Sequence, residues 1–198
     1  MRIKSTALMA SILAVVAGQS LAYETGDIVV RAGAALVSPD VSDNTAIGVL
    51  DVDSNVQLGL TGTYFLAPTF GVQLLAATPF KHDITAAGTK IGSTKQLPPT
   101  VTLQWYPAIS ETVHPYIGAG INYTVFFEDD IPGADLDLSS SVGLALEAGV
   151  DIRLTEKLLL NVAVWKIDIN TDVKVNGVNY GELEIDPLAA MVGIGYKF

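Results

Sequence analysis

The sequence predicts an all-β protein, an eight-stranded antiparallel transmembrane β-barrel, and three observations carry that expectation. The chain ends in Gly193-Ile194-Gly195-Tyr196-Lys197-Phe198, where Ile194, Tyr196 and Phe198 share one parity and so one face of a strand. It begins with a stretch that reads as an export signal. Between them lie eight segments of period-2 alternation, and no segment after residue 22 carries 18 uninterrupted apolar residues. An apolar strand edge invites aggregation in water. A closed barrel in lipid has no edge and wants apolar residues outward, with aromatics at the interface.

Residues 1–22 are expected to be a signal peptide. Arg2 and Lys4 supply its basic start, and Thr6 to Ala17 is apolar but too short to span a bilayer as a helix. Ser20-Leu21-Ala22 places small residues where a signal peptidase reads, so cleavage is expected before Tyr23, leaving 23–198 as the barrel. An N-terminal membrane anchor is the competing reading, and its length argues against it. Removing Arg2 and Lys4 leaves nine basic and 21 acidic residues, a formal charge of −12. That balance argues against nucleic-acid partners, which need basic surfaces. There is no cysteine, hence no disulfide framework and no thiolate metal site.

The eight alternating segments are 27–37, 55–67, 70–82, 97–107, 114–127, 140–153, 157–170 and 183–198. In the second, Val56, Leu58, Leu60, Tyr64 and Leu66 oppose Gln57, Gly59, Thr61 and Thr63. In the sixth, Val142, Leu144, Leu146, Ala148, Val150 and Ile152 oppose Gly143, Glu147, Gly149 and Asp151. The glycine-and-polar parity would face a narrow interior filled by side chains. Connections after the even segments are short, and those after the odd ones are long: 38–54, 83–96, 128–139 and 171–182. Short periplasmic turns and longer outer loops are the bacterial outer-membrane arrangement, with both termini periplasmic. A soluble lipocalin-like barrel would also alternate; the aromatic terminus and the glycine-polar minority face favour the membrane form.

Several blocks carry more than pattern. They are Arg31-Ala32-Gly33, the run from Gly71 to Phe80, Leu97-Pro98-Pro99-Thr100, Gln104-Trp105-Tyr106, and Pro115 to Tyr123 with Phe126-Phe127. Ala148-Gly149-Val150-Asp151, Val164-Trp165 and Asp186-Pro187 follow in order. Together they resemble the outer membrane protein W (OmpW) family of Gram-negative bacteria. The resemblance implies an eight-stranded outer-membrane barrel and a channel for small, mostly hydrophobic molecules that leave sideways through the wall. It also implies lipid, lipopolysaccharide and the barrel assembly machinery as partners, with bacteriocin or phage docking in some members. Ile194, Tyr196 and Phe198 are then the assembly signal.

Candidate site residues follow from parity. Leu75 shares a face with Gln73 and Ala77, and Trp165 with Asn161, so both are expected inside, where they would form an apolar gate; the resemblance supports that placement. Pro79 is expected to end the third strand and Pro98-Pro99 to open the fourth. Proline cannot donate to a strand ladder, so the wall could part there. Arg31, Glu147, Asp151 and Lys197 take inward parity near the periplasmic end and would form a plug, with Arg31–Glu147 as the first pairing. Asp40, Asp43, Asp51 and Asp53 in loop one, and Glu128, Asp129, Asp130, Asp135 and Asp137 in loop three, match no calcium-loop spacing and read as solvated charge. His82 and His114 fall at opposite barrel ends with no nucleophile motif around either, and no cofactor motif is present. The leading function is passive uptake of small hydrophobic molecules. The alternative is a non-transporting surface barrel acting as receptor, adhesin or stress-related structural protein.

Overall fold

A computed structural model describes residues 22–40, 42–43, 50–86 and 89–198. The expected signal segment, Ala22 apart, lies outside the described residues, as do parts of the first two long connections. The elements in chain order are β1 (Ile28–Ser38), β2 (Ser42–Asp43), β3 (Leu50–Val52), β4 (Asn55–Ala67) and β5 (Phe70–Ala77). Next come β6 (Phe80–Ala86), β7 (Thr89–Leu97), β8 (Thr100–Trp105), β9 (Val113–Asp130) and β10 (Leu136–Leu138). The last are β11 (Ser141–Arg153), β12 (Leu158–Ile167), β13 (Asn170–Val175), β14 (Val178–Glu184) and β15 (Leu188–Lys197).

Eight of these close a ring. β1 pairs with β4, β4 with β5, β5 with β8 and β8 with β9; β9 pairs with β11, β11 with β12, β12 with β15 and β15 with β1, all antiparallel. Every backbone donor in the lipid zone can therefore find a neighbour, which is what permits strands to span a membrane. The alternation works as a sorting rule. Leu58, Leu60, Leu74, Leu103, Ile121, Leu144, Val162 and Val192 stand exposed on the outer face, while Thr61, Gln73, Gln104, Asn122, Glu147 and Asn161 are buried inside. Tyr64, Phe70, Trp105, Tyr196 and Phe198 ring the outer face at the end of the barrel where β1 begins, β15 ends and the short turns lie. That is the aromatic girdle expected at a lipid–water boundary.

The long connections differ from the expectation. Two of them, after the third and seventh expected strands, are not plain loops but hairpins that carry the wall upward: β6–β7 continues β5 and β8, and β13–β14 joins β10 and β2 in a second, four-stranded sheet. The β13–β14 turn is Asn176-Gly177 with φ of 52° and 76°, the two-residue hairpin turn that asparagine-glycine favours. The third expected strand, 70–82, is likewise two elements, because Thr78-Pro79 interrupts the ladder between β5 and β6.

Glycines from three strands meet at one level of the wall. Gly33 pairs with Gly193 on one side and Gly59 on the other, and a Cβ at Gly33 would lie 2.1 Å from the Val192 carbonyl oxygen. Backbone cannot yield as a flexible side chain can. Gly33→Val is therefore expected to abolish correct closure, read as loss of the heat-modifiable folded band after refolding in detergent. Normal refolding would contradict this packing.

Candidate functional site

The interior changes character along the barrel axis. At the end with the short turns, hereafter the turn end, it is charged and hydrogen-bonded. At the hairpin end it is apolar.

Arg31, the second inward residue of β1, is fully buried and makes a forked contact with Asp151 of β11: Nε to Oδ1 at 2.9 Å and Nη2 to Oδ2 at 2.5 Å. Its remaining donors reach the Thr63 hydroxyl at 2.8 Å and the Tyr106 hydroxyl at 3.1 Å. Asp151 also accepts from the Tyr23 hydroxyl at 2.7 Å and from Asn161 Nδ2 at 2.9 Å. The expected Arg31–Glu147 pair is thus replaced by Arg31–Asp151. Parity placed all three side chains inside but not at a common height, and the register puts Asp151, two inward positions nearer the turn end than Glu147, within the guanidinium's reach. Glu147 is instead held by three neutral donors, Gln73 at 2.7 Å, Thr102 at 2.7 Å and Gln104 at 3.0 Å. Lys197 takes no part in this network; at the rim its ammonium lies 3.3 Å from Asp27, tying the last strand to the segment before β1.

Sequence reasoning missed the floor of this plug. Tyr23 lies before the first strand, outside any alternation, and is 1% exposed. Its ring stacks on Phe65 at 4.0 Å and packs edge-on against Tyr106 at 5.2 Å and His114 at 5.8 Å. Tyr106 in turn lies 4.8 Å from Tyr116. A hydrogen bond to a buried carboxylate contributes about 1.5–3 kcal/mol. Tyr23→Phe keeps the stacking and removes that bond, so it is expected to destabilise the barrel by about that amount in equilibrium unfolding; an unchanged midpoint would show that the hydroxyl does not hold Asp151.

Above the plug, β5, β12 and β15 bring Leu75, Trp165 and Ala189 to one small pocket, completed by Val37, Phe80 and Pro98 among others. Leu75 is 8% and Trp165 2% exposed. The cavity is about 30 Å³, room for little more than two water-sized bodies. An organic solute can occupy it only if the walls move apart. Further up, Ile167, Ile169, Leu183, Ile185, Leu138 and Val173 continue the apolar interior into the hairpin end. None of these was singled out from the sequence: Leu138 and Val173 fell in segments that read as long connections, and the other four at the outer ends of expected strands.

The prolines mark a break in the wall against this pocket. The β5–β8 ladder runs to Leu75 opposite Thr100, and pairing resumes between β6 and β7 at Phe80 opposite Gln96. Continuing the lower register would set Ala77 opposite Pro98 and Pro79 opposite Gln96, so the two ladders are also out of step by one residue. Thr78 donates to Leu58 of β4 at 3.0 Å, and the Pro99 carbonyl accepts from Tyr123 of β9 at 3.0 Å. Thr78 and Pro99 thus bond away from the break, and Pro79 and Pro98, which lie between the ladders, have no N–H with which to bridge it. Pro79 is exposed and Pro98 buried against the pocket.

The acidic connections form no such constellation. Among the described residues no three carboxylate or imidazole side chains converge as metal ligands, and Glu128 pairs with Lys95. Asp43, Asp51, Asp129 and Asp130 belong to segments whose side chains lie outside the described set. His82 falls on β6 and His114 at the start of β9, at opposite ends of the barrel. Ile194, Tyr196 and Phe198 stand on the lipid face, with the two rings 4.8 Å apart.

Comparison with known proteins agrees with this architecture. The OmpW family model matches residues 24–198. Outer membrane protein W of Salmonella typhimurium is 38% identical over 210 aligned positions, covering 98% of this chain and 99% of that protein. The crystal structure of the outer membrane protein OprG from Pseudomonas aeruginosa superposes with a TM-score of 0.80 at 38% identity, covering 90% of this chain and 98% of that one. More distantly, the dibenzothiophene metabolism operon protein PahQ of Pseudomonas aeruginosa is 27% identical over 76% of this chain and 75% of its own length. A match over the whole barrel at this identity, on a closed eight-stranded ring, places the protein in the outer membrane, and the chain belongs to the OmpW family.

Proposed function

We propose that the protein is a passive channel for small hydrophobic molecules, which reach the lumen from the hairpin end and leave sideways into lipid between β5 and β8. The hairpin end then faces outward and both termini are periplasmic. The observation that carries the proposal is the juxtaposition of an apolar pocket with a proline-lined break in the wall, directly above a sealed charged plug. A solute that enters the apolar half meets Arg31, Asp151 and Glu147 below, where an unpaired apolar body would displace strong hydrogen bonds without replacing them. Exit through the break exchanges one apolar surrounding for another. The occurrence of a relative in a dibenzothiophene metabolism operon suits this chemistry, since dibenzothiophene is an apolar aromatic.

The pocket gives the test. Ala189→Phe fills the cavity, and Leu75→Ala widens it. Uptake of N-phenylnaphthylamine, which fluoresces on reaching lipid, is expected to fall with the first and rise with the second in vesicles bearing a lipopolysaccharide outer leaflet. If both variants refold and neither changes the rate, the pocket is not on the path.

A further inference from the structure

Two polar side chains line the pocket, Gln96 and Trp165. Trp165 is almost wholly buried, yet its indole Nε1–H has no hydrogen-bond partner among the described residues. Most of its surroundings cannot supply one: Leu75, Ala77, Phe80, Ile167, Pro187 and Ala189 line the same space, with the Gln96 amide as the other polar side chain. Native proteins almost always satisfy buried donors, and an exception calls for a cause. Tryptophan is also a poor choice for a purely apolar wall, since phenylalanine or leucine would fill the space without an orphaned donor.

The position of Trp165 in the ring adds direction. Going round from the break between β5 and β8, the next strands are β9 and β11 on one side and β4 and β1 on the other, and both paths meet at β12 and β15. Trp165 on β12, opposite Ala189 on β15, therefore faces the break from the far wall. A donor there and an apolar exit here define an axis across the lumen.

We infer that the cargo is amphipathic: a small hydrophobic molecule with a single hydrogen-bond acceptor, such as a carbonyl oxygen, which Trp165 Nε1–H holds while the apolar end points at the Pro79–Pro98 break. The molecule then enters lipid tail first, in the orientation a bilayer accepts. This inference rests on the channel reading, and it narrows the cargo from hydrocarbons in general to acceptor-bearing ones.

Acetophenone and ethylbenzene make a matched pair, alike in skeleton and differing in one carbonyl. The chain has two tryptophans, and the other, Trp105, lies on the lipid face as an internal control. In the refolded barrel, acetophenone is expected to move the Trp165 indole N–H proton resonance downfield, with ethylbenzene producing a much smaller change and Trp105 little affected by either. Trp165→Phe is expected to weaken acetophenone binding about tenfold and ethylbenzene binding by no more than about twofold. Equal shifts from both ligands, or equal losses in the variant, would overturn the acceptor while leaving the channel standing. If neither molecule binds or enters through the wild-type barrel, the channel reading fails first, and this inference with it.

Discussion

Asp151→Ala is expected to lower the stability of the folded barrel by about 3–5 kcal/mol, the range for removing one partner of a buried ion pair. Arg31 would keep its charge in a fully buried position with two forked bonds lost, and Tyr23 and Asn161 would lose their acceptor at the same stroke. Asp151→Asn retains the shape and some of those bonds, so its loss is expected to be smaller. The pair itself is another matter. Two buried charges cost desolvation that their attraction only partly offsets, so Arg31→Met with Asp151→Leu is expected to be less damaging than either single change. Urea unfolding in lipid, followed by tryptophan fluorescence, reads all five variants, the two singles of that double included. A double variant as unstable as the sum of the singles would mean that the surrounding hydrogen bonds, not the charge balance, hold the plug together.

The second large effect concerns the break. Replacing Pro79 and Pro98 together by alanine is expected to slow uptake of apolar solutes about tenfold, if each restored donor makes a bond of roughly 0.5–1.5 kcal/mol that opening must break. Pro99→Ala is the control. Its carbonyl is turned toward β9, so its restored amide would strengthen the wall away from the break and change the rate little. An effect of Pro99→Ala as large as that of the pair would move the opening to the β8–β9 seam.

Much of this was legible in the chain before any coordinates. Alternation gave the ring strands, and it gave the inward facing of Leu75, Trp165, Arg31, Glu147 and Asp151, because parity depends only on the two-residue period of a strand. It could not give height. Glu147 and Asp151 share a face, yet four residues at about 3.3 Å each separate them by roughly 13 Å along the strand, and only the register decides which one meets Arg31. Nor could it read the hairpin end, where bulges at Val173/Lys174, Ile84/Thr85 and Ser93/Lys95 break the period. One signal there was readable and went unused: Val175-Asn176-Gly177-Val178 is a hairpin turn by composition alone. Tyr23 carried no signal, because a residue outside the strands has no parity to betray its side.

The account as a whole turns on where a solute leaves. The most direct measurement follows residues 23–198 in vesicles with a lipopolysaccharide outer leaflet, recording N-phenylnaphthylamine reaching lipid beside arabinose reaching the vesicle interior. Fast N-phenylnaphthylamine uptake with arabinose excluded is the predicted result. Passage of both at similar rates would show a continuous aqueous pore and contradict the sealed plug and the sideways exit together.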